Sequence, residues 1–137
     1  MPQLDGIVET ALYVEDLERS VKFYQQLFGL ETLGSDQRFH AFSVAAHHVL
    51  LLFRKGGSNQ PMELPGGVIP PHNGGGTIHI GFSISPETVS EWEAKLASNG
   101  VAIESKMSWP RGGLSLYFRD PDGHLLELLT PGVWTIY

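Results

Sequence analysis

The 137-residue sequence predicts an α+β fold of two βαβββ modules whose strands form cupped mixed sheets. Two observations predict this class. A strand pattern, an amphipathic helix and three further strand patterns occur in the same order twice. A Gly- and Pro-rich stretch separates the two copies. We therefore expect a single domain over 1–137, with module one at 5–54, a loop at 55–76 and module two at 77–132.

The first module opens with IVETALYV at 7–14, whose alternation is typical of a strand with two different faces. Asp16 is suited to cap a helix with apolar residues at positions 17, 21, 24 and 28, and Gly29 is suited to end it. Three strand patterns follow, at about 30–34, 39–45 and 49–54.

The second module repeats the order, beginning with IHIGFSI at 78–84. Ser85 is a reasonable N-cap and Pro86 suits the first helical position, while Asn99-Gly100 ends the helix. Strands are expected at 101–106, 114–119 and 125–130. The sequence RDPDGH between the last two predicts a hairpin turn, because Pro presets φ and Gly accepts a positive φ.

The loop at 55–76 has almost no periodicity, and so long a loop is usually functional or disordered. Two interpretations stay open: a linker between modules, or an ordered lid over a pocket.

Composition excludes several classes of function. Nine Lys and Arg against fifteen Asp and Glu give a net charge of −6, which offers no basic surface for nucleic acid or an anionic membrane. No apolar run is long enough to span a bilayer, and the N-terminus has no signal-peptide pattern. The absence of cysteine excludes thiol catalysis and disulfides. We expect a cytoplasmic protein with a small-molecule partner.

Three ionisable residues, Glu9, His79 and Glu127, interrupt otherwise apolar strand patterns. Burying a charge in a strand is costly unless it is paired or bound to metal. His79 lies 70 residues after Glu9, at the equivalent place of the repeat. Two carboxylates and one imidazole form a plausible ligand set for a divalent metal with an open side. Taken singly, they could instead be an edge-strand charge, a core histidine and a cross-strand ion-pair partner.

The same strand periodicity places further polar side chains on the proposed ligand face. Tyr13, Ser115 and Tyr117 share that face, and loops could add Arg111 and His72. These five are candidates for binding substrate or relaying a proton, and we assign catalytic roles to Tyr117 and to Glu127. The alternative is that Tyr13 fills the core and Arg111 is an ordinary surface residue.

Three segments, ETALYVEDLERSVKFYQQLFGLE, HIGFSI and SLYFRDPDGHLLELLTPG, resemble the vicinal oxygen chelate superfamily, which contains glyoxalases, bleomycin-resistance proteins and extradiol dioxygenases. The resemblance covers essentially the whole chain. It implies metal ligands on the first and last strands of the modules. His79 and Glu127 match two of those positions, while Glu9 stands where members usually carry His or Gln.

The chain also departs from each branch of that superfamily. Leu51 lies near the fourth ligand position, which is Glu in glyoxalases, and this argues against lactoylglutathione lyase activity. Glu9 departs from the two-histidine triad of extradiol dioxygenases. Fosfomycin-modifying thiol transferases share the segment from Ser115 to His124, but Ala11 replaces a threonine of theirs. Five other histidines could substitute as ligands: His40, His47, His48, His72 and His124.

The resemblance implies a metal-dependent enzyme acting on a small molecule that chelates through vicinal oxygens, with lyase, dioxygenase and thiol transferase unresolved. The cofactor would be a divalent ion such as Zn, Fe, Mn or Ni, and a homodimer is expected. One alternative is a metal-free sequestering dimer of the bleomycin-resistance type, with aromatic walls such as Trp109 and Tyr117. Another is a regulatory or structural dimer with an exposed apolar surface.

Overall fold

A computed structural model of the chain describes residues 1–137, which form two compact units, Met1–Gly76 and Thr77–Tyr137. Each unit holds a four-stranded mixed sheet and one α-helix. The predicted α+β fold of two βαβββ modules is therefore confirmed. Neither helix is long and apolar enough to cross a membrane.

The first unit contains six strands and a helix, and its main sheet has the order β1-β4-β3-β2. The edge strand β1 pairs with β4 in parallel, and the other strand pairs are antiparallel. The elements are β1 (Glu9–Val14), α1 (Leu17–Phe28), β2 (Glu31–Ser35), β3 (Phe39–Ala45), β4 (His48–Arg54), β5 (Met62–Leu64) and β6 (Gly67–Ile69).

Helix α1 begins and ends as its sequence predicts. The Asp16 carboxylate accepts a hydrogen bond from the Arg19 backbone N–H at 3.0 Å. Gly29 adopts the left-handed conformation with φ of 64°, and its N–H donates to the Gln25 carbonyl. The helix packs on β3 and β4. The core of this unit comprises Leu12, Val14, Tyr24, Leu27, Phe42, Leu50 and Leu52, which are all buried.

The loop at 55–76 is not featureless, because β5 and β6 pair as a short antiparallel hairpin. The His72 N–H donates to the Ser58 carbonyl at 2.9 Å, which closes the segment on itself. We call residues 58–74 the strap. It belongs to the first unit and covers part of that unit's sheet, which favours the lid interpretation over a simple linker.

The second unit repeats the topology with the order β7-β10-β9-β8, and its edge strand β7 again pairs in parallel with the neighbouring strand, β10. Its core includes Leu96, Leu116, Phe118, Leu126 and Leu128, all of which are fully buried or nearly so. The elements are β7 (His79–Ser83), a 3₁₀ turn (Pro86–Thr88), α2 (Val89–Ser98), β8 (Ser105–Ser108), β9 (Leu114–Arg119) and β10 (Leu125–Leu129).

Two local predictions for the second unit were wrong. Ser85 is the N-cap of a 3₁₀ turn and not of α2, and its side chain makes no capping hydrogen bond. The Thr88 hydroxyl donates to the Ser85 carbonyl. The strand expected at 101–106 begins later, at Ser105. The Val101 N–H is still bound to the Leu96 carbonyl of the helix, so the chain cannot join the sheet there.

Candidate functional site

The parallel strands β7 and β10 bring His79 and Glu127 together. The His79 Nε2 atom lies 3.1 Å from the Glu127 Oε1 atom. The imidazole is half exposed, whereas the carboxylate is only 8% exposed. The second unit thus contains a buried anionic group whose open side is covered by an imidazole.

The tautomer of His79 follows from its other nitrogen. Nδ1 lies 2.9 Å from the Leu125 carbonyl oxygen. A carbonyl oxygen only accepts hydrogen bonds, so Nδ1 must carry a proton. Nε2 therefore either holds a second proton or presents a lone pair beside the Glu127 carboxylate. This backbone-fixed arrangement is the usual one for metal-binding histidines.

The second oxygen of Glu127 is held by a chain of two hydrogen-bond donors. The Ser115 hydroxyl donates to Glu127 Oε2 at 2.5 Å, and the Trp109 indole N–H donates to the Ser115 oxygen at 2.8 Å. Ser115 is fully buried. Its hydroxyl therefore orients Glu127 within this chain, and a direct contact with substrate stays a prediction.

Gly81 lies beside the pair and presents no side chain to it. It is the partner of Glu127 in the sheet register, on the strand that carries His79. A Cβ atom there would lie 3.8 Å from Glu127 Oε1 and 3.0 Å from Leu129 Cδ2. Any larger side chain would therefore occupy the space in front of Glu127.

Tyr117 faces the same side of the sheet, directly opposite Glu127 in the antiparallel register. Burial raises the pKa of its phenol, and the negative charge of Glu127 raises it further. The phenol is therefore a hydrogen-bond donor at neutral pH. Its ring centroid lies 6.3 Å from that of His79.

The turn before β10 fixes the start of β7. One Asp120 oxygen accepts hydrogen bonds from the backbone N–H groups of Asp122 and His124. His124 is buried, and its Nδ1 accepts the Ile78 N–H at 3.0 Å. His124 is thus a structural group next to His79, and its ring is not free to replace a ligand.

Glu9 lies in the first unit, as the first residue of β1, and is exposed there. The desolvation reasoning from sequence was therefore wrong for Glu9 and His79 and right for Glu127. The structure contains no group of three or more His, Asp or Glu side chains placed to hold a metal ion. The role of Glu9 as third ligand stays a prediction.

The first unit has a groove of about 720 Å³ between its sheet and the strap. Glu9, Ala11 and Tyr13 of β1 lie on its floor. The remaining lining residues are Asp36, Arg38, Phe39, Leu51, Phe53, Ser58, Gln60, Met62, Leu64, Ile69, Pro70 and His72.

Tyr13 and His72, two of the predicted substrate-binding residues, meet in this groove. The Tyr13 hydroxyl lies 2.7 Å from His72 Nδ1. The strap passes close to the Tyr13 ring at Gly74, where a Cβ atom would lie 2.4 Å from Tyr13 Cδ2. Tyr13 therefore fastens the strap to the sheet, a role that its strand periodicity did not reveal.

Arg38 is the groove's cation, and Asp36 neutralises it. The guanidinium lies 3.2 Å from the Asp36 carboxylate. Burial by itself would raise the pKa of Asp36, but hydrogen bonds from the Arg38 and Phe39 backbone and the Arg38 charge together lower it. The ion pair is therefore formed at neutral pH. Sequence reasoning missed both residues, because they lie between strand patterns.

The other candidates lie outside these two sites. Arg111 is exposed, and no side-chain partner is found for it. His47 lies in the exposed turn between β3 and β4, and His48 is the exposed first residue of β4. The His40 Nε2 atom lies 2.8 Å from the Thr32 hydroxyl and its ring packs on Phe42, on the helix side of the sheet.

Comparison with known proteins agrees with the topology. Residues 6–128 match the Glyoxalase/Bleomycin resistance protein/Dioxygenase superfamily. Metallothiol transferase FosB of Bacillus licheniformis is 31% identical over 130 residues, which cover 94% of this chain and 77% of FosB.

Two solved structures are similar over nearly their whole length. Lactoylglutathione lyase from Agrobacterium tumefaciens has a TM-score of 0.87 and 30% identity, with 98% of this chain and 99% of that chain covered. A variant of the fosfomycin resistance protein FosX from Listeria monocytogenes, complexed with Mn(II) and 1S,2S-dihydroxypropylphosphonic acid, has a TM-score of 0.66 and 25% identity, with 92% and 90% covered. The chain belongs to the Glyoxalase/Bleomycin resistance protein/Dioxygenase superfamily.

Proposed function

We propose that this chain is a metal-dependent enzyme acting on a small molecule that chelates through vicinal oxygens. The observation that carries the proposal is the pairing of His79 Nε2 with Glu127 Oε1 at 3.1 Å. The opposite atoms of both groups are held elsewhere, by the Leu125 carbonyl and the Ser115 hydroxyl. Both side chains are thus oriented before any ligand arrives.

Hydrogen-bond counting shows why a cation suits this pair. Nδ1 of His79 already carries a proton, so Nε2 and the carboxylate oxygen face each other as two acceptors unless a second proton or a metal ion lies between them. A neutral imidazole and a carboxylate are ligands that Zn, Fe, Mn and Ni accept. Gly81, which has no side chain, keeps the strand beside Glu127 from obstructing such an ion. The pair therefore fits as two ligands of a divalent site.

The third ligand in this proposal is Glu9. It is exposed and stands at the start of β1, the strand equivalent to β7 in the repeat. An exposed carboxylate has little desolvation cost in the absence of a cation, so the position of Glu9 is compatible with a role as a metal ligand. A homodimer, in which modules pair across chains, is part of the same proposal.

When bound, the metal would supply a Lewis acid for an oxygen on which negative charge develops. The protein's own side chains would hold the metal, donate a hydrogen bond to the substrate and orient the ligands. Glu127 and His79 hold the site, and Tyr117 keeps its phenolic proton because its pKa is raised, so it can donate a hydrogen bond to an oxyanion. Trp109 and Ser115 orient the carboxylate.

Two features bear on the class of reaction: similarity to known enzymes, and the residues at the positions of the family's other functional groups. Similarity to FosB and to FosX, the latter seen with Mn(II), supports metal-dependent chemistry on small oxygenated molecules. Leu51 lines the first-unit groove and cannot supply the fourth ligand and base of the glyoxalase pattern. Leu51 therefore counts against lactoylglutathione isomerisation, and Ala11, in place of the threonine of fosfomycin-modifying thiol transferases, counts against thiol transfer to an epoxide in the same way.

The test is turnover after removal and return of metal. Wild type and Glu127→Gln would be stripped with chelator, reloaded with Mn, Fe, Ni or Zn, and assayed on hemithioacetals, catechols and epoxides with thiols. We expect metal-restored turnover in wild type and a loss of at least a hundredfold in the variant. Turnover that survives both chelator and the substitution would contradict the proposal.

A metal-free sequestering protein is the second candidate, and the apolar groove of the first unit favours it. It predicts saturable ligand binding with no bound metal and no turnover on the whole panel. The same set of assays therefore separates the two functions.

A further inference from the structure

The groove of the first unit carries information on ligand class that the His79–Glu127 pair does not. Its floor is aromatic. Tyr13 stacks on Phe53 with centroids 5.9 Å apart, Phe39 lies 6.1 Å from Phe53, and the His72 ring meets the Phe53 edge at 4.5 Å. Aromatic walls of this kind favour a flat apolar group that can stack on one ring and meet the edge of another.

The strap closes the groove with apolar side chains. Met62 and Leu64 of β5 and Ile69 of β6 line it opposite the sheet. Met62 is partly buried, whereas Leu64 and Ile69 are about half exposed in the free chain, at 51% and 46%. A ligand between strap and sheet would remove that apolar surface from water, which is the main favourable term in binding such a group.

The charges of the groove disfavour anions. Its ionised side chains are Glu9, Asp36 and Arg38, which sum to about −1 at neutral pH. The single cation is committed to Asp36 at 3.2 Å, and its Nη2 atom also lies 3.3 Å from the Met62 sulfur. In the metal-free chain, a phosphonate or carboxylate entering the groove would thus meet the Glu9 carboxylate without an available cation.

We infer that this groove selects an uncharged, flat aromatic group, so that the ligand of this chain is an aromatic compound and not a small anion such as a phosphonate. The specificity-determining residues are Phe53, Tyr13 and the Asp36–Arg38 pair. If the chain is the metal-dependent enzyme proposed above, the aromatic group is one part of a substrate whose vicinal oxygens reach the metal; selection of the aromatic group by the groove does not depend on that function.

The first test compares 2-naphthol with 2-naphthoate, which differ in charge at similar size, by calorimetric titration of metal-stripped full-length protein. We expect one 2-naphthol per chain, bound at least tenfold more tightly than 2-naphthoate or propylphosphonate. The variant Phe53→Leu should weaken 2-naphthol at least threefold, while the control Phe23→Leu, on α1 across the sheet, leaves it unchanged. Equal affinities for the two naphthyl compounds, or no effect of Phe53→Leu, would overturn the inference.

A gain of function tests the charge reasoning. Asp36→Asn removes the negative charge but keeps a side-chain oxygen. That oxygen can still accept the hydrogen bonds that Asp36 accepts from the backbone N–H groups of Arg38 and Phe39. The substitution frees the Arg38 guanidinium, so 2-naphthoate should bind at least fivefold more tightly. The matched control Glu18→Gln, with the same change of net charge on the exposed surface of α1, should leave 2-naphthoate affinity unchanged. No difference between these two variants would refute a role for the ion pair.

Failure of this inference and failure of the proposed function give different results. If 2-naphthol binds as expected but neither metal nor turnover depends on Glu127, the groove inference stands and the metal enzyme fails. If metal binding and turnover depend on Glu127 but 2-naphthol does not bind, the metal enzyme stands and the groove inference fails.

Discussion

Ser115→Ala tests the network that orients Glu127. The substitution removes the hydroxyl that donates to Glu127 Oε2 at 2.5 Å and that accepts the Trp109 indole N–H at 2.8 Å. A hydrogen bond to a charged group contributes about 1.5–3 kcal/mol, and the indole donor left without a partner adds about 1 kcal/mol or more. We expect a loss of about 2–4 kcal/mol in the free energy of unfolding, which is a fall in Tm of roughly 10 °C for a chain of this size.

The same substitution should weaken metal binding by about 10–100-fold, the usual cost of losing a group that orients a ligand. Thermal unfolding by circular dichroism and titration with Mn(II) measure the two effects. Ser58→Ala is the matched control, because Ser58 is also buried but its hydroxyl has no hydrogen-bond partner in the structure. If Ser115→Ala and Ser58→Ala change stability and metal affinity equally, the orienting network has no role.

Three further outcomes are expected. Glu127→Gln should lower the pKa of Tyr117, because it removes a negative charge that raises this pKa. The pKa is measured from tyrosinate absorbance in an alkaline titration, and Tyr117→Phe identifies the signal of this residue. An unchanged titration would contradict the prediction. Burial lowers the pKa of His40, so its imidazole binds a proton more readily in the unfolded chain, and stability falls as pH drops below about 6.5. Between pH 7.5 and 5.5 the Tm of His40→Gln should therefore fall less than that of wild type. Parallel curves of Tm against pH for the two proteins would refute this expectation. Gly74→Ala would place a Cβ 2.4 Å from Tyr13 Cδ2 and should loosen the strap, which would be seen as faster proteolysis within 58–74. Gly75→Ala is the control, because no atom lies within 4 Å of a Cβ there. Equal proteolysis of the two variants would count against the contact between Tyr13 and the strap.

The repeat made the fold predictable. Two copies of one strand and helix pattern must give two similar units, and period-two alternation placed Ser115, Tyr117 and Glu127 on one face. The hairpin turn was also predictable, since Pro121 and Gly123 suit its backbone, with φ of 82° at the glycine.

Other parts of the site depend on contacts that no local pattern encodes. The Leu125 carbonyl selects the His79 tautomer through the parallel pairing of two strands about 46 residues apart in sequence. Trp109 reaches Ser115 from an irregular segment, so strand periodicity says nothing of it. The strap's strands have three residues each, too few for an alternation to be recognised.

Metal stoichiometry in solution tests the proposed centre most directly. Chain purified without affinity nickel and stripped with chelator would be titrated with Mn(II), alongside His79→Gln, Glu127→Gln and Glu9→Gln. His47→Asn is the control, because it removes an exposed histidine at a residue with φ of 69°, a conformation that Asn tolerates. We predict one ion per chain in wild type and control. The affinity should be at least a hundredfold weaker in His79→Gln and Glu127→Gln, and Glu9→Gln should also weaken it. Equal affinity in wild type, His79→Gln and Glu127→Gln, or no binding to wild type at millimolar Mn(II), Fe(II), Ni(II) or Zn(II), would contradict the assignment of a metal site to this pair.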